Sequence, residues 1–134
     1  MVRFLLLDDE DIFNFLSEEV IHQVNPDFPC EVFSESEAAL TYISSQIQQN
    51  LPVPDVILID IRMPGINGFD FLESIHQYSE SSLKNTVVYI LSSSLDSRDY
   101  KRAATFSMVK GFESKPLSEK MVLDIISKLP PHQS

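Results

Sequence analysis

Two adjacent carboxylates, Asp8 and Asp9, close the apolar run 2–7, and a single carboxylate, Asp60, closes the run 56–59. Short apolar runs are how strands buried on both faces of a parallel sheet read, and open α/β sheets bind ligands beyond the carboxyl ends of such strands. The three acids then share one crevice. Like charges held that close are costly unless a cation sits among them, and hard oxygen donors suit Mg²⁺. Ser92 and Ser93 follow a fourth apolar run, 87–91, and Lys115 with Pro116 comes three residues after a fifth, 109–112. Asp60 can attack as a carboxylate, Asp9 and Asp60 can hold Mg²⁺, and the Ser92 hydroxyl and Lys115 ammonium can bind phosphoryl oxygens. These are the kinds of group that phosphoryl transfer needs.

The elements that must position these groups follow from periodicity. Strands are expected at 2–7, 31–34, 56–59, 87–91 and 109–112, with helices at 11–24, 37–49, 69–78, 97–106 and 118–129. Ile12, Phe15, Leu16 and Val20 recur at helical spacing in the first helix, and Ala39, Leu40, Ile43 and Ile47 in the second. Met121, Val122, Ile125, Ile126 and Leu129 form the inner face of the last. Prolines fall between these segments, at 26, 29, 52 and 54, and close the last helix at 130 and 131. A strand followed by a helix, five times over, predicts an α/β fold of the flavodoxin-like, doubly wound (βα)5 kind. Its five-stranded parallel sheet has the order 2-1-3-4-5, with helices on both faces. Residues 1–134 are expected to form one domain, and the tail 130–134 is too short to be an output domain.

Charge and composition narrow the function. The net charge is −10, with twelve acids and only Arg3 as a base in residues 1–61, against eight acids and nine bases in 62–134. An acidic half attracts divalent cations and repels nucleic-acid phosphate, which argues against direct DNA binding. No run approaches the ~20 residues of a membrane span, so a cytoplasmic protein with no membrane partner is expected. The single cysteine, Cys30, is read as a buried, unreactive thiol, and His22, His76 and His132 as solvated side chains. Phe13 and Phe15 fall on different sides of the first helix, with peripheral packing as the simpler reading. Arg98, Lys101, Arg102, Lys110 and Lys120 form a basic surplus around the last two helices.

The motifs LLLDDE at 5–10, PDVILIDIRMPGINGFDFL at 54–72, VVYILSSS at 87–94 and GFESKPLS at 111–118 resemble those of the receiver domain of two-component response regulators, over nearly the whole chain. The resemblance implies a single-domain receiver that accepts a phosphoryl group on Asp60 from a histidine kinase or phosphotransfer protein. Asp8, Asp9, Asp60 and the carbonyl of Arg62 would be the ligands of Mg²⁺, with Mn²⁺ a substitute. Ser92 takes the hydroxyl role, Lys115 the lysine role before a cis Lys115–Pro116 bond, and Phe112 with Ser92 the switch role. Arg62 and Ser94 lie at the positions that tune phosphoryl lifetime. A downstream protein would meet the last two helices and last strand, with the oligomeric state left open. Catalysis would be limited to self-phosphorylation and autodephosphorylation, so no separate substrate is turned over.

Gly65 and Gly68 suit a tight loop after Pro64, and Met108 with Val109 stands where many receivers carry a Gly-Ala pair. The alternative is a receiver-like interaction module that works without phosphorylation, which would be expected to lack some of these groups. A haloacid-dehalogenase-like phosphatase would need a second acid where Arg62 stands. A flavin site would need a hydroxyl-rich phosphate loop where Asp8, Asp9, Glu10 and Asp11 would repel the phosphate.

Overall fold

The computed structural model describes residues 1–63, 67–93 and 96–130. Five strands alternate with five helices: β1 Phe4–Leu7, α1 Asp11–Val24, β2 Cys30–Phe33, α2 Ser36–Gln48, β3 Val56–Ile59, α3 Gly68–His76, β4 Val87–Ser92, α4 Ser97–Ala103, β5 Val109–Ser114 and α5 Glu119–Ser127. The sheet is parallel throughout and ordered β2-β1-β3-β4-β5, as the alternation predicts.

The apolar runs are unbroken because β1, β3 and β4 are buried on both sides. Successive side chains of a strand point to opposite faces. Leu5, Leu7, Ile57, Ile59, Val88 and Ile90 meet Ala39 and Ile43 of α2 and Phe71, Leu72 and Ile75 of α3. Phe4, Leu6, Val56, Leu58, Val87, Tyr89 and Leu91 meet Ile21 of α1 and Val122 and Ile125 of α5 on the other face. The edge strands β2 and β5 are only partly covered.

The first helix has the expected limits but a different inner face. Its buried residues are Asn14, Ser17 and Ile21, whereas Ile12 and Phe15 are 58% and 57% exposed. The cause is polar: the Asn14 amide donates to the carbonyls of Asp8 at 2.9 Å and Phe33 at 3.1 Å, where β1 and β2 end. Buried backbone acceptors need such partners, and meeting that need sets the rotation of α1.

Boundaries shift by a few residues elsewhere. The chain joins β1 at Phe4 rather than at 2, and β5 runs on to Ser114, closer to Lys115 than expected. Helix α4 stops at Ala103 rather than 106, and the corner after it closes without a glycine cap. The Thr105 hydroxyl donates to the Arg102 carbonyl at 2.6 Å, and the buried Met108 offers its carbonyl to the Val88 N–H at 2.8 Å. The β4–β5 register slips just beyond, which sets Gly111 against the Tyr89 ring. Pro64, Gly65, Ser94 and the tail 131–134 lie outside the described residues.

Gly68 opens α3 directly against β3's exit, and its N–H donates to the Ile61 carbonyl at 3.2 Å. A Cβ there would come within 2.4 Å of the Ile61 Cα, a backbone atom that cannot turn aside. Gly68→Ala is therefore expected to destabilise the fold by about 1–3 kcal/mol, the usual cost of overpacking. Urea unfolding of the two proteins measures it, and equal midpoints would mean that α3 and Ile61 separate freely.

Candidate functional site

Strand register assembles the site. Leu7 pairs with Ile59, and the ladder continues past the strands as Asp8 N–H donates to Phe33 and Asp60 N–H to Leu7, at 3.1 and 3.0 Å. Asp8 and Asp60 thus emerge side by side at the carboxyl edge. On the other side of β4, the Lys115 N–H donates to the Ser92 carbonyl at 2.9 Å, which continues the β4–β5 ladder to the lysine itself. The Lys115–Pro116 bond is cis, as expected.

The Lys115 ammonium lies 2.5 Å from Asp8 Oδ2 and 2.9 Å from Asp60 Oδ2, with its side chain 2% exposed. It also stands 4.2 Å from the centre of the Phe13 ring, a cation–π contact that walls it from water. Burial pushes the Lys115 ammonium toward deprotonation, but hydrogen bonds to Asp8 and Asp60 together outweigh it and hold its pKa above the ordinary lysine value. Burial pushes the Asp8 carboxyl up, and this prevails over the downward pull of Lys115 and the Glu10 N–H. That N–H donates to Asp8 Oδ1, as the Arg62 N–H donates to Asp60 Oδ1, each at 2.9 Å. Both buried carboxylates are thus clamped by the backbone two residues on.

Asp9 is exposed and completes the acidic set. One carboxylate oxygen from each of Asp8, Asp9 and Asp60 lies within 4.8 Å of the others. An all-oxygen, three-carboxylate donor set fits a hard divalent ion such as Mg²⁺, with Asp8, Asp9, Asp60 and the Arg62 carbonyl as its candidate ligands. Ser92 is buried at the end of β4, and Ser93 is exposed beside it. Phe112 is half-buried on β5, stacked on Tyr100 of α4 with ring centres 4.3 Å apart. Arg62 turns away from Asp60: its guanidinium bonds Asp99 of α4 and lies 4.0 Å from Asp96. Ser94 falls outside the described residues.

Phe13, Asn14 and Tyr100 are parts of this region that sequence reasoning did not assign. Periodicity marks Phe13 and Tyr100 only as helix positions, because a ring over a lysine or another ring is a contact between distant segments. Asn14 carried a fainter signal, an amide in the first turn after two acids. The basic surplus is partly engaged locally, with Arg98 on Asp96 at 3.1 Å, Arg102 on Glu73 at 3.7 Å, and Arg102 over the Phe69 ring at 4.2 Å. Lys101, Lys110 and Lys120 remain exposed.

The sequence profile described as the response regulator receiver domain matches residues 4–127. Among solved structures, a two-component response regulator from Cytophaga hutchinsonii is 31% identical, with 96% of each chain covered and a TM-score of 0.85. A response regulator receiver protein from Dyadobacter fermentans is 25% identical, covering 96% of this chain and 97% of its own, with a TM-score of 0.82. The sensory/regulatory protein RpfC of Xanthomonas campestris pv. campestris is 23% identical over 128 residues, which is 96% of this chain but 16% of RpfC.

Lys115 is the cation that lets Asp8 and Asp60 stay together. Replacing it by methionine, of similar length, leaves two buried acids facing each other and is expected to destabilise the protein by about 3 kcal/mol at neutral pH. Added Mg²⁺ should recover part of that loss. Denaturant titrations with and without Mg²⁺ check both, and an unchanged midpoint would show that the acids need no counter-charge.

Proposed function

Because this chain belongs to the response regulator receiver family, we propose that it is a phosphoryl-accepting switch. Asp60 takes its phosphoryl group from the phosphohistidine of a histidine kinase or phosphotransfer protein in a Mg²⁺-dependent reaction. The observation that carries this reading is the Lys115 ammonium bridging Asp8 and Asp60 at 2.5 and 2.9 Å in a crevice that Asp9 completes. A structural ion pair needs one acid; three acids around one lysine leave surplus charge that suits a divalent ion.

In the proposed reaction a carboxylate oxygen of Asp60 forms the O–P bond while the donor's N–P bond breaks, the electron pair staying on the leaving imidazole nitrogen. Mg²⁺, bound by Asp8, Asp9, Asp60 and the Arg62 carbonyl, would neutralise charge gathering on the phosphoryl oxygens. The Lys115 ammonium shifts from carboxylate to phosphoryl oxygen, and the Ser92 hydroxyl donates to another. Water reverses the state by attacking phosphorus, with Asp60 as leaving group, so catalysis is confined to the chain's own modification. Phosphoryl chemistry and a lone thiol suit a cytoplasmic protein. The readout is a partner that meets α4, β5 and α5, where the Tyr100–Phe112 stack links α4 to β5. Ser92 drawn toward the phosphoryl group alters the surroundings of Phe112, which biases that stack between two arrangements.

The first test is intact mass after incubation with Mg²⁺ and acetyl phosphate. The parent is expected to gain one phosphoryl group, and neither Asp60→Ala nor the parent without Mg²⁺ should. If the parent also stays unmodified with a phosphorylated histidine protein, the reading fails in favour of a phosphorylation-independent interaction module.

Through Asp99 and Asp96, Arg62 ties the residue two beyond Asp60 to the start of α4. Removing the side chain frees the start of α4 beside the crevice, so Arg62→Ala is expected to shorten the acyl phosphate lifetime severalfold. Phosphate release from purified phosphoprotein measures this; a lifetime equal to the parent's would strip Arg62 of that role.

A further inference from the structure

At the opposite edge of the sheet a second group of metal-ligating side chains comes together. Cys30 opens β2 and pairs with Phe4 at the start of β1, four residues from Asp8, or about 13 Å at the rise of a parallel strand. Glu18 and His22 lie one turn apart on α1 and face it. One ligand atom from each of Glu18, His22 and Cys30 lies within 4.8 Å of the others, and all three residues are half-buried. Four-coordinate zinc holds its ligand atoms roughly 3.5 Å apart, so a set already within 4.8 Å is near the spacing one ion needs. We propose that Glu18, His22 and Cys30 form a second cation site, which takes a zinc-class divalent ion and keeps its fourth position for water.

Two features favour this assignment over a chance cluster. The His22 Nε2 lies 2.9 Å from the Phe28 carbonyl, an acceptor, so that nitrogen carries the ring proton and Nδ1 carries the lone pair. With Nε2 so held, Nδ1 is the nitrogen left to ligate, and a backbone carbonyl on the other ring nitrogen is the usual support of a ligating histidine. The donor set of one sulfur, one nitrogen and one oxygen selects zinc-like ions over Mg²⁺, whereas the Asp8, Asp9 and Asp60 set does the reverse. The pattern was present in the sequence as an i, i+4 Glu–His pair, which the reading of His22 as a solvated residue passed over; only the fold sets Cys30 beside it. Bound metal would tie α1 to the edge strand independently of chemistry at Asp60.

Cobalt(II) titration of the full chain tests the site, because its thiolate-to-metal absorption can come only from Cys30, the single cysteine. The absorption is expected to saturate at one equivalent and to yield to Zn²⁺ but not to excess Mg²⁺. It should persist in Asp9→Asn, vanish in Cys30→Ser, and weaken at least tenfold in His22→Gln and Glu18→Gln. Circular dichroism establishes that each variant is folded, and a zinc-dependent rise in melting temperature, present in the parent and lost in His22→Gln, reads the same site without cobalt. Absence of the thiolate band in the folded parent, or equal affinity in both Gln variants and the parent, overturns the proposal.

Discussion

Carboxylates within a few ångströms of one another repel unless a cation stands between them, and here that cation is the Lys115 ammonium. Its position constrains much else. The strand that delivers it must end level with β4, the register of β1 and β3 must bring Asp8 and Asp60 out together, and α1 must seal the lysine from solvent with Phe13. The site is thus a property of the sheet's whole carboxyl edge. One ammonium between Asp8 and Asp60, with the Asp9 carboxylate close by, leaves the edge negative overall. Under the proposed phosphoryl transfer the same lysine changes partner rather than place.

The sheet gives that edge its rigidity. With β1, β3 and β4 buried on both faces, a slip of one residue would turn apolar side chains toward the wrong helices, so the alignment of Asp8, Asp60 and Ser92 is protected by the core. Two links lead from the edge toward α4. Arg62 reaches Asp99, and Phe112 stacks on Tyr100, both on a helix of only seven residues. Such a short helix, tied to that edge by the Arg62–Asp99 pair and the Phe112–Tyr100 stack, is a natural element to be biased between two arrangements if charge at Asp60 changes.

The order of elements, the parallel sheet and the acids at strand ends could be read from the chain because they depend on local signals: apolar runs, helical spacing, prolines between segments, and motif residues of a well-marked family. The face of α1 could not. Ile12, Phe15 and Leu16 have the better hydrophobic pattern, yet Asn14 turns inward because carbonyls at the ends of β1 and β2 need a donor, and that need exists only once the strands are side by side. The end of α4 and the register slip beside Gly111 were hidden for the same reason, since Met108 and Tyr89 are distant in sequence from what they pack against.

By itself, then, the sequence determined the fold class, the strand order and the placing of Asp8, Asp9, Asp60, Ser92, Phe112 and Lys115 on or just beyond the strands, because strand ends and burial pattern are written in short stretches of residues. Tertiary structure alone decided that Lys115 bridges Asp8 and Asp60, that Phe13 covers it, that Arg62 turns to α4, and that Glu18 and His22 meet Cys30. Those are contacts across the sheet's edges, where geometry depends on register and helix rotation rather than on any local run of residues.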